Sequence, residues 1–156
     1  MTTPITNRED VIDTRDLIAR IKDLQETLCA INEDLEEATA NHKELSTPET
    51  LIRKEQAQLA LEEFSAEARE LASLLEVQAQ AEHSSNYLYG EQLIAASYFV
   101  KYTEQLIEEN YDMSKDLQSG HWPWRHMAID YEAAAGELQQ DYTDVAFGDT
   151  IYWIRA

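Results

Sequence analysis

The feature that most constrains this chain is a heptad seam in its first half. Between Thr14 and Ala38, apolar residues recur in alternating steps of four and three, and the pattern returns between Ala57 and Gln78. This spacing holds one face of a long helix against a partner helix, so two long helices are predicted. The seam positions are Leu17, Ile21, Leu24, Leu28, Ile31, Leu35 and Ala38, then Ala57, Leu61, Phe64, Ala68, Leu71, Leu75 and Gln78.

Local signals place the ends of these helices. Asp10 or Asp13 can cap the first helix, and Thr47 followed by Pro48 is a standard start signal for a second helix over residues 48–81. Because residues 41–49 break the pattern, the two helices are predicted to fold back as an antiparallel hairpin. Such a hairpin buries little apolar surface, so we expect a homodimer. The residues expected to hold the two copies together are Leu24, Leu28, Ile31, Leu61 and Leu71.

The composition changes beyond residue 85, since all three Trp and all eight Tyr lie in residues 86–156. Helices are predicted over residues 91–110 and 130–140, and two β-rich runs around Gly148 and Asp149 predict a β-hairpin. The predicted fold class is therefore α+β and predominantly α, with a coiled-coil hairpin in residues 1–85 and a small α+β module in residues 86–156. The expected core of this module is Phe99, Leu106, Trp122, Leu138, Phe147 and Trp153.

The chain carries a large excess of acidic side chains. It has 31 Asp and Glu against 12 Lys and Arg, a net charge of −19, and both halves are acidic. Direct binding to nucleic acid or to an anionic membrane is opposed by this charge, because those surfaces are held through Lys and Arg. The natural complement is a basic protein, such as one that itself holds nucleic acid. In the alternative interpretation the acidity only maintains solubility.

Cysteine usage and the start of the chain bear on the compartment. Cys29 is the only cysteine, so neither an intramolecular disulfide nor a thiolate metal cluster can form. The first ten residues are polar and acidic, and no apolar run approaches the length that spans a bilayer. A cytoplasmic location is expected.

Motifs for catalysis are missing. The four glycines do not have the spacing of a phosphate-binding loop, so no nucleotide or other cofactor is expected. His121, His126 and Asp130 could approach a metal ion, but they lack a firm third ligand, and Pro123 makes one continuous helix through both histidines unfavourable. We therefore expect no enzyme and no metal site, and a metal-binding enzyme subunit is the weakest alternative.

The abundant carboxylates suggest another role. Acids at i and i+4 on a helix lie about 5–6 Å apart, comparable to the separation of phosphates along a DNA strand, although any acidic helix provides this spacing. Rows of carboxylates can thus present a DNA-like field to a protein. The acids expected to bind a partner are Glu33, Glu37, Glu63, Glu67, Glu104, Glu108, Glu109, Asp112, Asp116, Asp130, Asp141 and Asp144.

Residues 88–156 resemble a known group of sequences. The segments that carry the resemblance include Gly90-Glu91-Gln92-Leu93-Ile94, Trp122-Pro123, Ile129-Asp130-Tyr131-Glu132-Ala133-Ala134 and Ile151-Tyr152-Trp153-Ile154-Arg155. They are similar to a module of phage and plasmid proteins labelled antirestriction and to the last domain of ArdA-type antirestriction proteins. The start Val11-Ile12-Asp13-Thr14-Arg15-Asp16-Leu17-Ile18 is similar to the phage versions.

The resemblance implies a phage-encoded DNA mimic. Such a protein occupies the DNA site of a host defence complex, typically a Type I restriction enzyme, and a CRISPR effector is a further possible target. ArdA-type proteins are elongated dimers whose acidic surfaces follow bent B-form DNA. This chain lacks their first two domains and carries the predicted coiled coil in their place. The main rival is a coiled-coil interaction or scaffold protein that recruits a partner through its hairpin.

Overall fold

The structure, a computed structural model, describes residues 2–112 and 115–156, apart from the side chain of Asp116. It is mostly helical with a small antiparallel sheet, so the predicted α+β, predominantly α class is confirmed. The helices are α1 (Thr14–Leu45), α2 (Pro48–Glu63), α3 (Ser65–Ala81), α4 (Phe99–Asn110), α5 (Lys115–Gln118) and α6 (Tyr131–Leu138). The strands are β1 (Val11–Asp13), β2 (Gln92–Ala95), β3 (Tyr142–Phe147) and β4 (Thr150–Arg155).

The helical hairpin forms where the sequence predicts it. The Asp13 carboxylate caps α1 by accepting the backbone N–H of Arg15 at 2.8 Å. Thr47 caps α2, because its hydroxyl accepts the N–H of Thr50 at 3.3 Å and its own N–H donates to the Thr50 hydroxyl at 3.1 Å. α1 extends beyond the predicted Ala38 and ends at Leu45. The hairpin is antiparallel, with α2 and α3 packed along α1.

The second predicted helix is in fact two helices that meet at Phe64. The backbone hydrogen bonding continues on both sides, from Phe64 N to Ala60 O and from Ala68 N to Phe64 O, so the break is a single residue and not a loop. Beyond it, α3 packs against both α1 and β3, and its buried face is therefore wider than one heptad seam. Leu74 is fully buried, whereas Leu75, which the heptad places in the seam, is 38% exposed.

The strand β2 corrects the helix predicted over residues 91–110, which is a 3-10 helix over Ala96–Tyr98 and α-helical only from Phe99 onward. Leu93, Ile94 and Ala95 are consecutive and all buried, because β2 lies inside the sheet with neighbours on both faces. The described residues form one four-stranded sheet in the order β1-β2-β4-β3. The predicted β3–β4 hairpin is present, and Gly148 in its turn has a φ of 61°.

The two sequence regions share one hydrophobic core. Leu17, Leu24 and Leu74 of the hairpin pack in the same cluster as Val145 and Tyr152 of the sheet. The predicted boundary near residue 85 therefore does not separate two cores, and β1, which precedes α1, pairs with β2. A smaller cluster lies where α4 and α6 meet the sheet, and it contains Ile94, Phe99 and Ala135.

The first residues of the chain are held in place by contacts that span the whole fold. The Arg20 guanidinium binds both carboxylate oxygens of Glu70, at 2.8 and 2.7 Å, and also the Thr2 carbonyl at 3.0 Å. Glu70 in turn accepts the N–H of Ile5 at 3.2 Å. The hydrogen bond from Arg20 holds the pKa of Glu70 below its ordinary value. Closer to β1, the Tyr152 hydroxyl donates to the Glu9 carbonyl at 2.7 Å.

Candidate interaction surface

The acids expected to bind a partner fall into three groups in the structure. The hairpin acids are Glu33, Glu37, Glu63 and Glu67. The group called here the α4 acids is Glu104, Glu108 and Glu109 on α4, together with Asp112, which lies just beyond the end of this helix. Asp130, Asp141 and Asp144 lie at the start of α6 and near or within β3. The side chain of Asp116, also expected here, lies outside the described part of the chain.

The hairpin acids are not brought together. Because Arg20 pairs with Glu70 and Arg53 with Asp34, Glu67 lies near Arg20, and Glu63 lies about one turn nearer the far end of the hairpin. Glu33 and Glu37 lie about 10–15 Å further along the helix. Arg53 also approaches Glu37 at 3.6 Å, so part of the negative charge at the far end is offset. The four hairpin acids are therefore spread along the hairpin.

The α4 acids form a more compact surface. Glu108, Glu109 and Asp112 are exposed, and Glu104 is half-buried. Helix α4 packs against α6, which begins at Tyr131, near Glu104 and Glu108. Desolvation raises the pKa of the Tyr131 hydroxyl, and the charges of Glu108 and Glu104 raise it further. The last turns of α4 and the start of α6 thus make one acidic surface.

The remaining acids have different settings. Asp130 caps α6, since its carboxylate accepts the N–H of Ala133 at 3.0 Å, which gives it a structural role. Asp141 and Asp144 are exposed, and Asp144 lies on β3, an edge strand of the sheet. Part of that edge is closed, because the Gln80 side chain bonds the N–H and the carbonyl of Ala146 at 2.8 and 3.1 Å.

The predicted dimer seam is used within a single chain. Leu24 and Leu71 are 3% and 6% exposed in the chain's own core, and Leu28 and Ile31 pack against that core. Leu61 is half-buried along α2. The seam joins α1 to α2 and α3, so Leu24 and Leu71 are not accessible to a second copy. Leu28, Ile31 and Leu61 remain partly exposed. Whether the chain dimerises stays a prediction.

The aromatic segment around Pro123 also differs from expectation. Trp122, predicted to lie in the core of the second module, is 73% exposed, and Met127 nearby is 53% exposed. Tryptophan is highly buried on average, so its residue type suggested a core position. Nothing in the sequence distinguishes a buried tryptophan from an exposed one at this position. Trp122 therefore belongs to the surface.

Metal chemistry gains no support in the described part of the chain. Among those residues, no three His, Cys, Asp or Glu side chains lie close enough to hold an ion. The Arg125 guanidinium lies 3.1 Å from Nε2 of His126, and Asp130 is occupied as a helix cap. The structure therefore does not bring His121, His126 and Asp130 together as the metal site that the sequence left as an alternative.

Comparison with known proteins leaves the surface as the main guide to function. No protein family, curated protein or solved structure matches this chain. The resemblance of residues 88–156 to antirestriction proteins accordingly stays a prediction. Over the described residues, no helix combines the length and the apolar character needed to cross a membrane.

Proposed function

We propose that this protein is a phage-derived inhibitor that binds a host nucleic-acid-binding defence complex and blocks its access to DNA. The target class is a Type I restriction enzyme or a CRISPR effector, encountered in the host cytoplasm. The inhibitor is a DNA mimic that needs no cofactor and performs no catalysis. Its carboxylates occupy the basic channel that otherwise holds phosphates.

The observation that carries the proposal is the excess of carboxylates that no cation in the chain can neutralise. If each Lys and Arg neutralised one acid, 19 carboxylates would remain. Helices present many of them at the surface, among them Glu33, Glu108 and Glu109. One exposed ion pair contributes about 0–1 kcal/mol, so affinity must come from the summed field of many acids.

Within this field, the α4 acids are the part best suited to a basic channel. Three of the four are exposed, three lie on α4 with Asp112 just beyond its end, and Tyr131 of α6 is nearby. The hairpin acids are spread along the hairpin, and Arg53 partly offsets Glu37. We therefore assign the main contact to the α4 acids and a supporting role to the hairpin acids.

One observation favours the scaffold alternative. Helix α2 exposes Leu51, Ile52 and Leu59, at 42%, 53% and 52%. An apolar helix face of this kind recruits protein partners by burial and not by charge. Under that alternative, binding survives salt and charge reversal but is lost when the apolar face is changed.

A competition experiment tests the proposal. Purified Type I restriction enzymes and CRISPR effectors are screened for binding, and each that binds is titrated with labelled duplex DNA at about 50 mM and about 200 mM salt. We expect the protein to displace DNA, and its affinity to fall steeply at the higher salt. Binding that does not displace DNA and whose affinity does not change with salt would overturn the proposal.

Charge reversal sharpens the same test. Changing Glu104, Glu108, Glu109 and Asp112 together to Lys should abolish binding, whereas each single change should have little effect, because only the summed field is large. The matched control is the double change Ile52→Ser and Leu59→Ser on α2. DNA mimicry requires this control to keep its affinity, and the scaffold alternative requires the reverse.

A further inference from the structure

The segment from Ser119 to Ala128, called here the aromatic loop, differs from the rest of this acidic chain. It contains no Asp or Glu, and it holds two Trp, two His and Arg125. Its backbone folds into successive turns, with Arg125 N bonded to His121 O at 2.8 Å and Met127 N to Trp124 O at 3.0 Å. These turns leave Trp122 and Met127 exposed.

Exposed tryptophan beside arginine is typical of a protein-binding surface. Trp and Arg are enriched among the residues that dominate interface energies. An indole that is 73% exposed leaves most of its apolar area in water, which a partner can remove. Because the loop is basic and free of acids, a partner of complementary chemistry is acidic around an apolar centre.

Such a surface exists on α2. Ile52 and Leu59 are two helical turns apart and both are more than half exposed. They lie on the side of the helix opposite Ala57, which is buried towards α1. Glu55 and Glu62 share that outer side and are exposed. We call Ile52, Glu55, Leu59 and Glu62 the α2 face.

We propose that the aromatic loop of one copy of this chain docks on the α2 face of a second copy. The apolar centre of each surface covers that of the other, and Arg125 meets Glu55 or Glu62. Each chain is strongly acidic overall, but the Debye length of about 8 Å at physiological salt screens the distant charges and leaves the local complementarity in control. The contact joins two different surfaces, so it closes into a dimer when formed twice or continues as a chain of copies.

This interface makes no use of the buried seam and is independent of the proposed inhibition. A single contact covers both the aromatic loop and the α2 face, which are exposed apolar surfaces of opposite local charge. It also gives a route to association that does not need Leu24 and Leu71, which are closed to a partner.

Mixing two variants of the full-length chain tests the proposal. The loop variant carries Trp122→Ala and Arg125→Glu, and the face variant carries Ile52→Asp and Leu59→Asp. All four positions are exposed, so both variants should fold, which circular dichroism and thermal unfolding verify. By sedimentation velocity over a concentration series, each variant alone should associate about tenfold or more weakly than the wild type. An equimolar mixture should recover a heterodimer, because it contains one intact loop and one intact α2 face.

Further variants make the outcome decisive. The control Leu88→Ala with Tyr89→Ala removes exposed apolar side chains outside both surfaces and should leave association unchanged. Adding Glu55→Arg and Glu62→Arg to a chain that carries Arg125→Glu should restore association. A wild type that stays monomeric overturns the proposal. So does a mixture that stays dissociated, or a loop variant that associates normally while the face variant does not, which would indicate α2 packing against α2.

Discussion

The base of the helical hairpin, formed by the start of α1 and by α3, and its far end, residues 28–63, follow the same heptad pattern. They are buried to very different degrees. At the base, Leu17, Ile21 and Leu24 are at most 4% exposed. Between residues 28 and 63, all of which are described, only Ala38 and Ala57 are buried. The base has a third layer, formed by the sheet and the first residues of the chain, whereas the far end has two helices alone. The heptad pattern therefore determines which face of a helix points inward. The number of packed layers of secondary structure determines how completely that face is shielded from solvent.

The largest effect should come from separating the two regions. We expect residues 86–156 on their own to show no cooperative thermal unfolding, because the sheet loses β1 and the core loses Leu17 and Leu74. By contrast, replacing residues 28–61 with a short Gly-rich linker should leave a folded protein. Calorimetry of both chains checks this. A cooperative transition in the 86–156 fragment would contradict the shared core.

A single truncation should sharpen the same contrast. Leu74→Ala at the fully buried base is expected to lower the free energy of unfolding by about 3–5 kcal/mol, through lost burial and a cavity. Leu35→Ala, at a half-buried position of the far end, should cost about 1 kcal/mol. Urea denaturation of the two variants gives both values. Equal losses would mean that the far end is covered, for instance by a second copy.

The partly buried ion pair between Arg20 and Glu70 at the base makes stability depend on pH. Arg20 lowers the folded-state pKa of Glu70 below its value of 4.5 in the unfolded chain, so the pair stabilises the fold above about pH 4.5. This contribution is lost as pH falls through the lowered pKa. Glu70→Gln should therefore cost about 3 kcal/mol at neutral pH and flatten the acid limb of the stability curve. Glu26→Gln, in an exposed pair with Lys22, is the matched control and should change little.

The smallest effect belongs to the ion pairs at the far end. Arg53 lies 3.4 Å from Asp34 and 3.6 Å from Glu37, and all three side chains are at least half exposed. Arg53→Gln should lower the free energy of unfolding by less than about 1 kcal/mol. The loss should shrink further at about 1 M salt, which thermal unfolding at two salt concentrations can show. A larger, salt-independent loss would mean that Arg53 packs as well as pairs.

Local signals explain which parts of the fold could be predicted. The caps at Asp13 and Thr47 and the turn at Gly148 depend on residues next to each other in sequence, and all three are present. The strand β2 was missed because Leu93, Ile94 and Ala95 form a continuous apolar run, which has no period of its own. Its strand conformation comes from β1 and β4 on either side.

The candidate surfaces divide in the same way. The sequence by itself determined the excess of carboxylates and the inner face of each hairpin helix, because charge and helical period are properties of neighbouring residues. Only the tertiary structure decided that Leu24 and Leu71 are closed within one chain and that Trp122 is exposed. It also brought Tyr131 to the α4 acids. These outcomes depend on contacts between residues far apart in the chain, which no local pattern records.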